Sequence, residues 1–138
     1  MIDIPNHDHV TRYCPKYTLD ESGKPTGDSF KLRVGEEYIS VDWFEYFKKI
    51  NSQLTEKEIF QMLEQALIKR KFTPKKNGVF SYHNSGKVKE KKYKEIYFQV
   101  KQIQRDSSHS GIFPKPTRLY EVEMIAETVE KVILLKEI

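Results

Sequence analysis

Phe30-Lys31-Leu32-Arg33-Val34-Gly35-Glu36-Glu37-Tyr38-Ile39-Ser40-Val41 is the stretch on which the fold class turns. Phe30, Leu32 and Val34 alternate with Lys31 and Arg33, the period-two pattern of a half-buried strand, and Gly35 followed by two glutamates reads as a tight turn. Tyr38, Ile39 and Val41 continue as a second strand, so the spacing predicts a hairpin over Phe30 to Val41. A helix capped by Ser40 or Asp42 follows at once. It carries Trp43, Phe44 and Phe47 on one face and stops at Asn51 and Ser52.

Downstream, Thr55-Glu56-Lys57-Glu58 forms a capping box, in which hydroxyl and carboxylate each accept from the other residue's amide. Ile59, Phe60, Leu63, Ala66 and Leu67 then fall on one stripe of a helix over Glu56 to Arg70. Val79-Phe80-Ser81-Tyr82 reads as a short strand, and Asn84-Ser85-Gly86 as a turn. Ile96, Phe98 and Val100 alternate with polar neighbours as a further strand. Arg105 to Arg118, rich in serine and containing two prolines, reads as loop. Leu119, Val122, Ile125, Ala126 and Val129 take helical spacing, and Val132-Ile133-Leu134-Leu135 fits either a final strand or more helix.

Upstream, His9-Val10-Thr11-Arg12-Tyr13 is a β-branched and aromatic run closed by Pro15, and Asp20 to Asp28 is turn chemistry on the surface. Hairpins mixed with helices, without regular βαβ alternation, place the chain in the α+β class. The expected architecture is a single domain over residues 1–138, an antiparallel or mixed sheet of about four to six strands with about three helices on one face.

The composition bounds the function. Hydrophobic residues make up 38% of the 138 positions, below the usual ~45–50%, but aromatics at 12% supply large buried areas. Cys14 is the sole cysteine, which excludes an intramolecular disulfide and a four-cysteine zinc site. No basic region followed by an apolar run opens the chain, and no segment approaches the roughly 20 apolar residues of a membrane span, so a soluble cytoplasmic protein is expected. Glycines occur singly, so neither a Walker A loop nor a dinucleotide fingerprint can be built, and no cofactor is expected.

Charge is polarised along the chain. Between Lys69 and Lys94 ten residues are lysine or arginine and Glu90 is the one acid, whereas the whole chain carries a net charge of only +4. Lys69, Arg70 and Lys71 complement a helix terminus. Lys75 and Lys76 sit in a loop, and Lys87, Lys89, Lys91, Lys92 and Lys94 are expected on a hairpin arm with Tyr93 among them. Such an array meets nucleic-acid backbone without strong sequence preference, while Tyr82, Tyr93 and Tyr97 offer rings for stacking. The leading expectation is therefore a noncatalytic accessory protein that binds nucleic acid. An adaptor whose lysines meet an acidic protein partner is an alternative.

A further alternative is a small enzyme acting on phosphoesters. His9 and His109 would share acid and base roles, Arg12 would bind the phosphate, and Ser107 or Ser108 would donate to an oxyanion. His7 and His9 point the same way on an extended segment, and with His109 they make a minimal candidate for metal ligation.

Overall fold

The computed structural model describes all residues 1–138. Nine strands and four α-helices follow one another in the order β1 (Ile2–Asp3), β2 (His9–Cys14), β3 (Ile39–Trp43), α1 (Glu45–Ile50), α2 (Glu56–Lys69), β4 (Val79–Asn84), α3 (Ser85–Lys89), β5 (Lys92–Tyr93), β6 (Ile96–Tyr97), β7 (Gln99–Gln102), β8 (His109–Phe113), α4 (Leu119–Ala126) and β9 (Val129–Leu134). Seven strands form one antiparallel sheet in the order β1-β7-β8-β3-β2-β4-β9, and β5 and β6 make a separate two-stranded hairpin. The α+β class holds, with more strands than the sequence suggests and with helices on both faces of the sheet.

Alternation in the central strands builds two cores. Val10 and Cys14 of β2 point into a cluster with Trp43, Val100, Ile112, Val88 of α3 and Val122 and Ile125 of α4. Tyr13 points the other way, into a cluster with Phe47 of α1, Ile59, Phe60, Leu63 and Leu67 of α2, and Phe80 of β4. The capping box starts α2 as the sequence requires: Thr55 Oγ1 accepts from the Glu58 amide at 3.1 Å, and Glu58 Oε1 accepts from the Thr55 amide at 2.9 Å. Burying Ile59, Phe60 and Leu63 contributes on the order of 1.5–3 kcal/mol each, which holds the helix to the sheet.

The hairpin expected over Phe30 to Val41 does not form. Phe30 ends a short 3-10 turn, Gly27–Phe30, and is fully buried in the first core, while Val34 is fully exposed and only Ile39–Trp43 becomes strand. Arg12 is the physical reason. Its guanidinium is almost wholly buried and donates from Nε to Ser29 O (2.8 Å), from Nη1 to Ser40 O (2.8 Å) and from Nη2 to Lys31 O (3.0 Å), with Glu36 at 3.4 Å. A buried guanidinium must have its donors filled, and here it takes carbonyls that a hairpin ladder would have used. The register shows the same event: β2 pairs with β3 only at Val10↔Trp43 and Thr11↔Asp42, yet with β4 along its whole length.

Asp42 and Trp43 consequently lie in a strand, and the helix expected from Ser40 or Asp42 starts at Glu45 with no side-chain cap. The 105–118 region is corrected too, since His109–Phe113 is a strand between β7 and β3. Ser108 and Ser110 read as loop chemistry but are buried and satisfied: Ser108 Oγ donates to Asp42 Oδ1 at 2.7 Å and Ser110 Oγ to Ser108 O at 2.9 Å. The apolar run Val132 to Leu134 belongs to β9, paired with β4.

The His83 ring is fully enclosed. His83 Nδ1 lies 2.8 Å from Thr128 Oγ1, and Nε2 lies 2.7 Å from Ser81 Oγ. Because the Thr128 hydroxyl donates to Ile125 O at 2.7 Å, it accepts from Nδ1–H, which leaves Nε2 to accept from Ser81. Burial, with Arg12 nearby, pushes the His83 pKa down to about 3, so the ring is neutral.

Candidate nucleic-acid interface

The lysines after Asn84 divide: Lys92 and Lys94 lie on a hairpin, as expected, but Lys87 and Lys89 do not belong to an extended arm. Asn84 Oδ1 accepts from the Lys87 amide at 2.9 Å and starts α3, so Lys87 and Lys89 are helical. An asparagine before serine and glycine carries capping chemistry as well as turn chemistry, and here the cap wins. Lys89 is structural: its ammonium donates to Asp3 Oδ2 at 2.8 Å, to Asn6 Oδ1 at 2.9 Å and to Ile4 O, pinning the first strand. Lys91 meets Glu127 and Lys76 meets Glu64, each at 2.9 Å, and Lys92 meets Glu95 at 3.5 Å. Lys75, Lys87 and Lys94 have no carboxylate partner.

β5 and β6 close through Lys94 and Glu95, both left-handed at φ 49° and 65°. That conformation matches a two-residue hairpin turn, which twists with its strands. The hairpin sets Tyr93 beside the start of α4, where the Tyr93 and Tyr120 ring centroids are 5.7 Å apart. Two cations approach the same ring, Lys94 Nζ at 5.5 Å and Arg118 Cζ at 5.7 Å, and Lys92 Nζ lies 5.4 Å from the Tyr97 centroid. Arg118 has no carboxylate partner. Between hairpin and helix lies a cleft of about 330 Å³, to which Lys94, Arg118 and Lys115, the last paired with Glu37 at 3.3 Å, contribute beside one buried acid, Glu121. Glu121 is occupied, accepting from the Thr117 amide and hydroxyl at 3.4 and 3.2 Å.

Around this cleft Ile96, Tyr97, Leu119 and Tyr120 are each more than half exposed. Exposed rings interleaved with unpaired cations are what a single strand of nucleic acid requires: flat faces for bases and charge for phosphates. Of the sequence candidates, Lys92, Tyr93 and Lys94 belong to this surface. Lys115, Arg118 and Tyr120 join them from a region distant in sequence, and their legible signal was a basic and aromatic pair flanking a helix start. Tyr82 does not join: its ring stacks on His9 at 4.5 Å with Lys131 Nζ 4.5 Å from its centroid.

The histidines occupy separate places. His9 Nδ1 is 2.6 Å from Glu45 Oε2, and its backbone amide donates to Glu45 Oε1 at 2.7 Å. His7 is exposed, 3.4 Å from Asp8. His109 Nε2 lies 3.2 Å from Ser40 Oγ, and the His109 amide donates to Ser107 Oγ at 3.1 Å. No group of three or more histidine, cysteine or acidic side chains that could hold a metal ion is assembled. Arg12 has its donors filled by the chain itself, as described above, so it has none to offer a phosphate. Cys14 is buried, and burial pushes its thiol pKa up, away from a nucleophilic thiolate. No helix is long and apolar enough to cross a membrane.

No protein-family model matches this chain, and neither a curated protein nor a solved structure matches it.

Proposed function

We propose that this protein is an accessory factor that binds single-stranded nucleic acid, without strong sequence preference, on the surface formed by the β5–β6 hairpin and the start of α4. The observation that carries this reading is the convergence of Tyr93, Lys94 and Arg118 on one cleft, with exposed Tyr120 against the Tyr93 ring and exposed Tyr97 on the other face of the same hairpin; neither Lys94 nor Arg118 has a carboxylate partner. Base stacking on an aromatic ring is worth about 1–3 kcal/mol per base and tolerates every base. Lysine adds charge without the planar fork that reads guanine, which fits binding to backbone. Lys75 and Lys87 extend the positive field beyond the cleft; the paired lysines contribute less, because exposed ion pairs spend part of their charge on a neighbour.

Titration of a fluorescent single-stranded oligonucleotide tests the reading. Affinity should fall steeply between about 50 and 200 mM salt as counterions are released by several phosphate contacts. Absence of binding at the lower salt refutes it. Capture of an acidic protein in place of the oligonucleotide would favour the adaptor instead.

A further inference from the structure

Beyond Thr11 and Asp42, β2 and β3 part, and a groove of about 600 Å³ opens along the sheet face that α2 leaves uncovered. Ser40 and His109 line it, with Tyr17, Tyr38 and Phe72 as aromatic walls. Ser40 is fixed at its backbone by Arg12 Nη1, which donates to its carbonyl at 2.8 Å, and its Oγ stands 3.2 Å from His109 Nε2. Tyr38 is drawn down over Gly111, where a Cβ would meet its Cδ2 at 2.7 Å, and its ring centroid is 6.0 Å from that of His109.

We propose that Ser40 and His109 are a nucleophile and base pair that hydrolyses carboxylic esters bearing an apolar or aromatic acyl group. A hydroxyl in hydrogen-bond reach of an imidazole, on the floor of an open groove, is the minimal arrangement for covalent acyl transfer. The charged side chains along the groove, Arg33 and Arg70 against Glu36 and Glu37, balance, and the walls are aromatic. That lining selects a neutral acyl group over an anion.

In the first step Ser40 Oγ bonds to the acyl carbon as its proton passes to His109 Nε2, and the carbonyl pair moves onto oxygen. The Tyr38 phenol stays protonated, because burial and Glu36 both raise its pKa, and it is the donor for that oxyanion. Collapse breaks the ester C–O bond, and the leaving alkoxide takes the proton from His109. Water, deprotonated by the same nitrogen, then attacks the acyl carbon and restores the Ser40 hydroxyl, releasing a carboxylic acid. His109 suits the first step at neutral pH: burial and then Arg70 hold its pKa below 6.5, against the opposing pull of Asp42 and Glu36.

Reaction of the full chain with an alkyl fluorophosphonate, followed by peptide mass mapping, tests the pair. The expected result is an adduct on Ser40, absent in Ser40→Ala and formed at least about 100-fold more slowly in His109→Gln. The wild-type rate should be level above pH 7 and fall at acid pH as His109 is protonated. This second readout needs no variant. An unmodified Ser40 in the folded wild type, a His109→Gln rate equal to wild type, or a rate that does not fall at acid pH overturns the proposal.

Discussion

Arg70 grips Asp42 with two hydrogen bonds, Nη1 to Oδ1 at 3.0 Å and Nη2 to Oδ2 at 2.8 Å, and so ties the end of α2 to the middle of β3. The carboxylate is buried and also accepts from Ser108. Removing the guanidinium by Arg70→Ala leaves a buried charge without its counter-ion. The expected loss is about 2–3 kcal/mol in urea unfolding, below the ~3–5 kcal/mol of a fully buried pair because Arg70 is partly exposed. Arg70→Lys should recover only part, since an ammonium cannot make the fork.

The same residue shows what sequence reading reaches. Lys69, Arg70 and Lys71 at a helix end are explained locally by the helix dipole, and nothing local says that one of them spans to a strand. Where the pattern and its partner lie within one element, as in the Thr55–Glu58 capping box and the α2 stripe, sequence and structure agree. Where a distant side chain intervenes they differ: Arg12 takes the backbone acceptors of Lys31 and Ser40 and dissolves a hairpin, and Asp42 lets Ser108 be buried just before a strand. The candidate interface was half legible for the same reason. Lys92, Tyr93 and Lys94 stand in the basic run, but Arg118 and Tyr120 reach them only through the packing of α4.

Thr11 makes a contrasting case, because its buried hydroxyl has no hydrogen-bond partner. An unsatisfied buried hydroxyl carries a desolvation cost of about 1–3 kcal/mol, and valine has nearly the same shape. Thr11→Val is expected to leave the protein as stable as wild type or up to about 1 kcal/mol more stable by urea unfolding. A loss above about 1 kcal/mol would show that the hydroxyl has a partner.

His83 predicts a pH dependence. Its folded pKa of about 3 lies below the ordinary 6.5, so the folded state binds fewer protons than the unfolded one between those values. The neutral ring's contribution is fully present above pH 6.5 and is lost as pH falls, at about 1.4 kcal/mol per unit. The stability difference between wild type and His83→Gln should therefore shift steadily against wild type from pH 6.5 towards 3. A difference independent of pH would contradict the buried neutral imidazole.

Gly111 sets how closely Tyr38 approaches the sheet. A Cβ there would lie 2.7 Å from Tyr38 Cδ2, 2.8 Å from Ile103 Cδ1 and 3.0 Å from Phe113 Cε2. Two of these atoms belong to rigid rings, so Gly111→Ala should cost about 1–3 kcal/mol by overpacking. It should also slow the fluorophosphonate reaction at Ser40 by displacing the phenol.

The stacking surface predicts additive losses of oligonucleotide affinity. Tyr97→Ala and Tyr120→Ala remove exposed rings with little effect on folding, and each should weaken binding by about 1–3 kcal/mol for each base that stacks on it. Arg118→Glu should weaken binding and also flatten its salt dependence.

The most direct measurement is ultraviolet crosslinking of a single-stranded oligonucleotide to the full chain at low salt, with the crosslinked residues mapped by mass spectrometry. The account predicts crosslinks at Tyr97 on the β5–β6 hairpin and at Tyr120 at the start of α4. Bound oligonucleotide whose crosslinks fall wholly outside the β5–β6 hairpin and the start of α4 would contradict it, as would no binding.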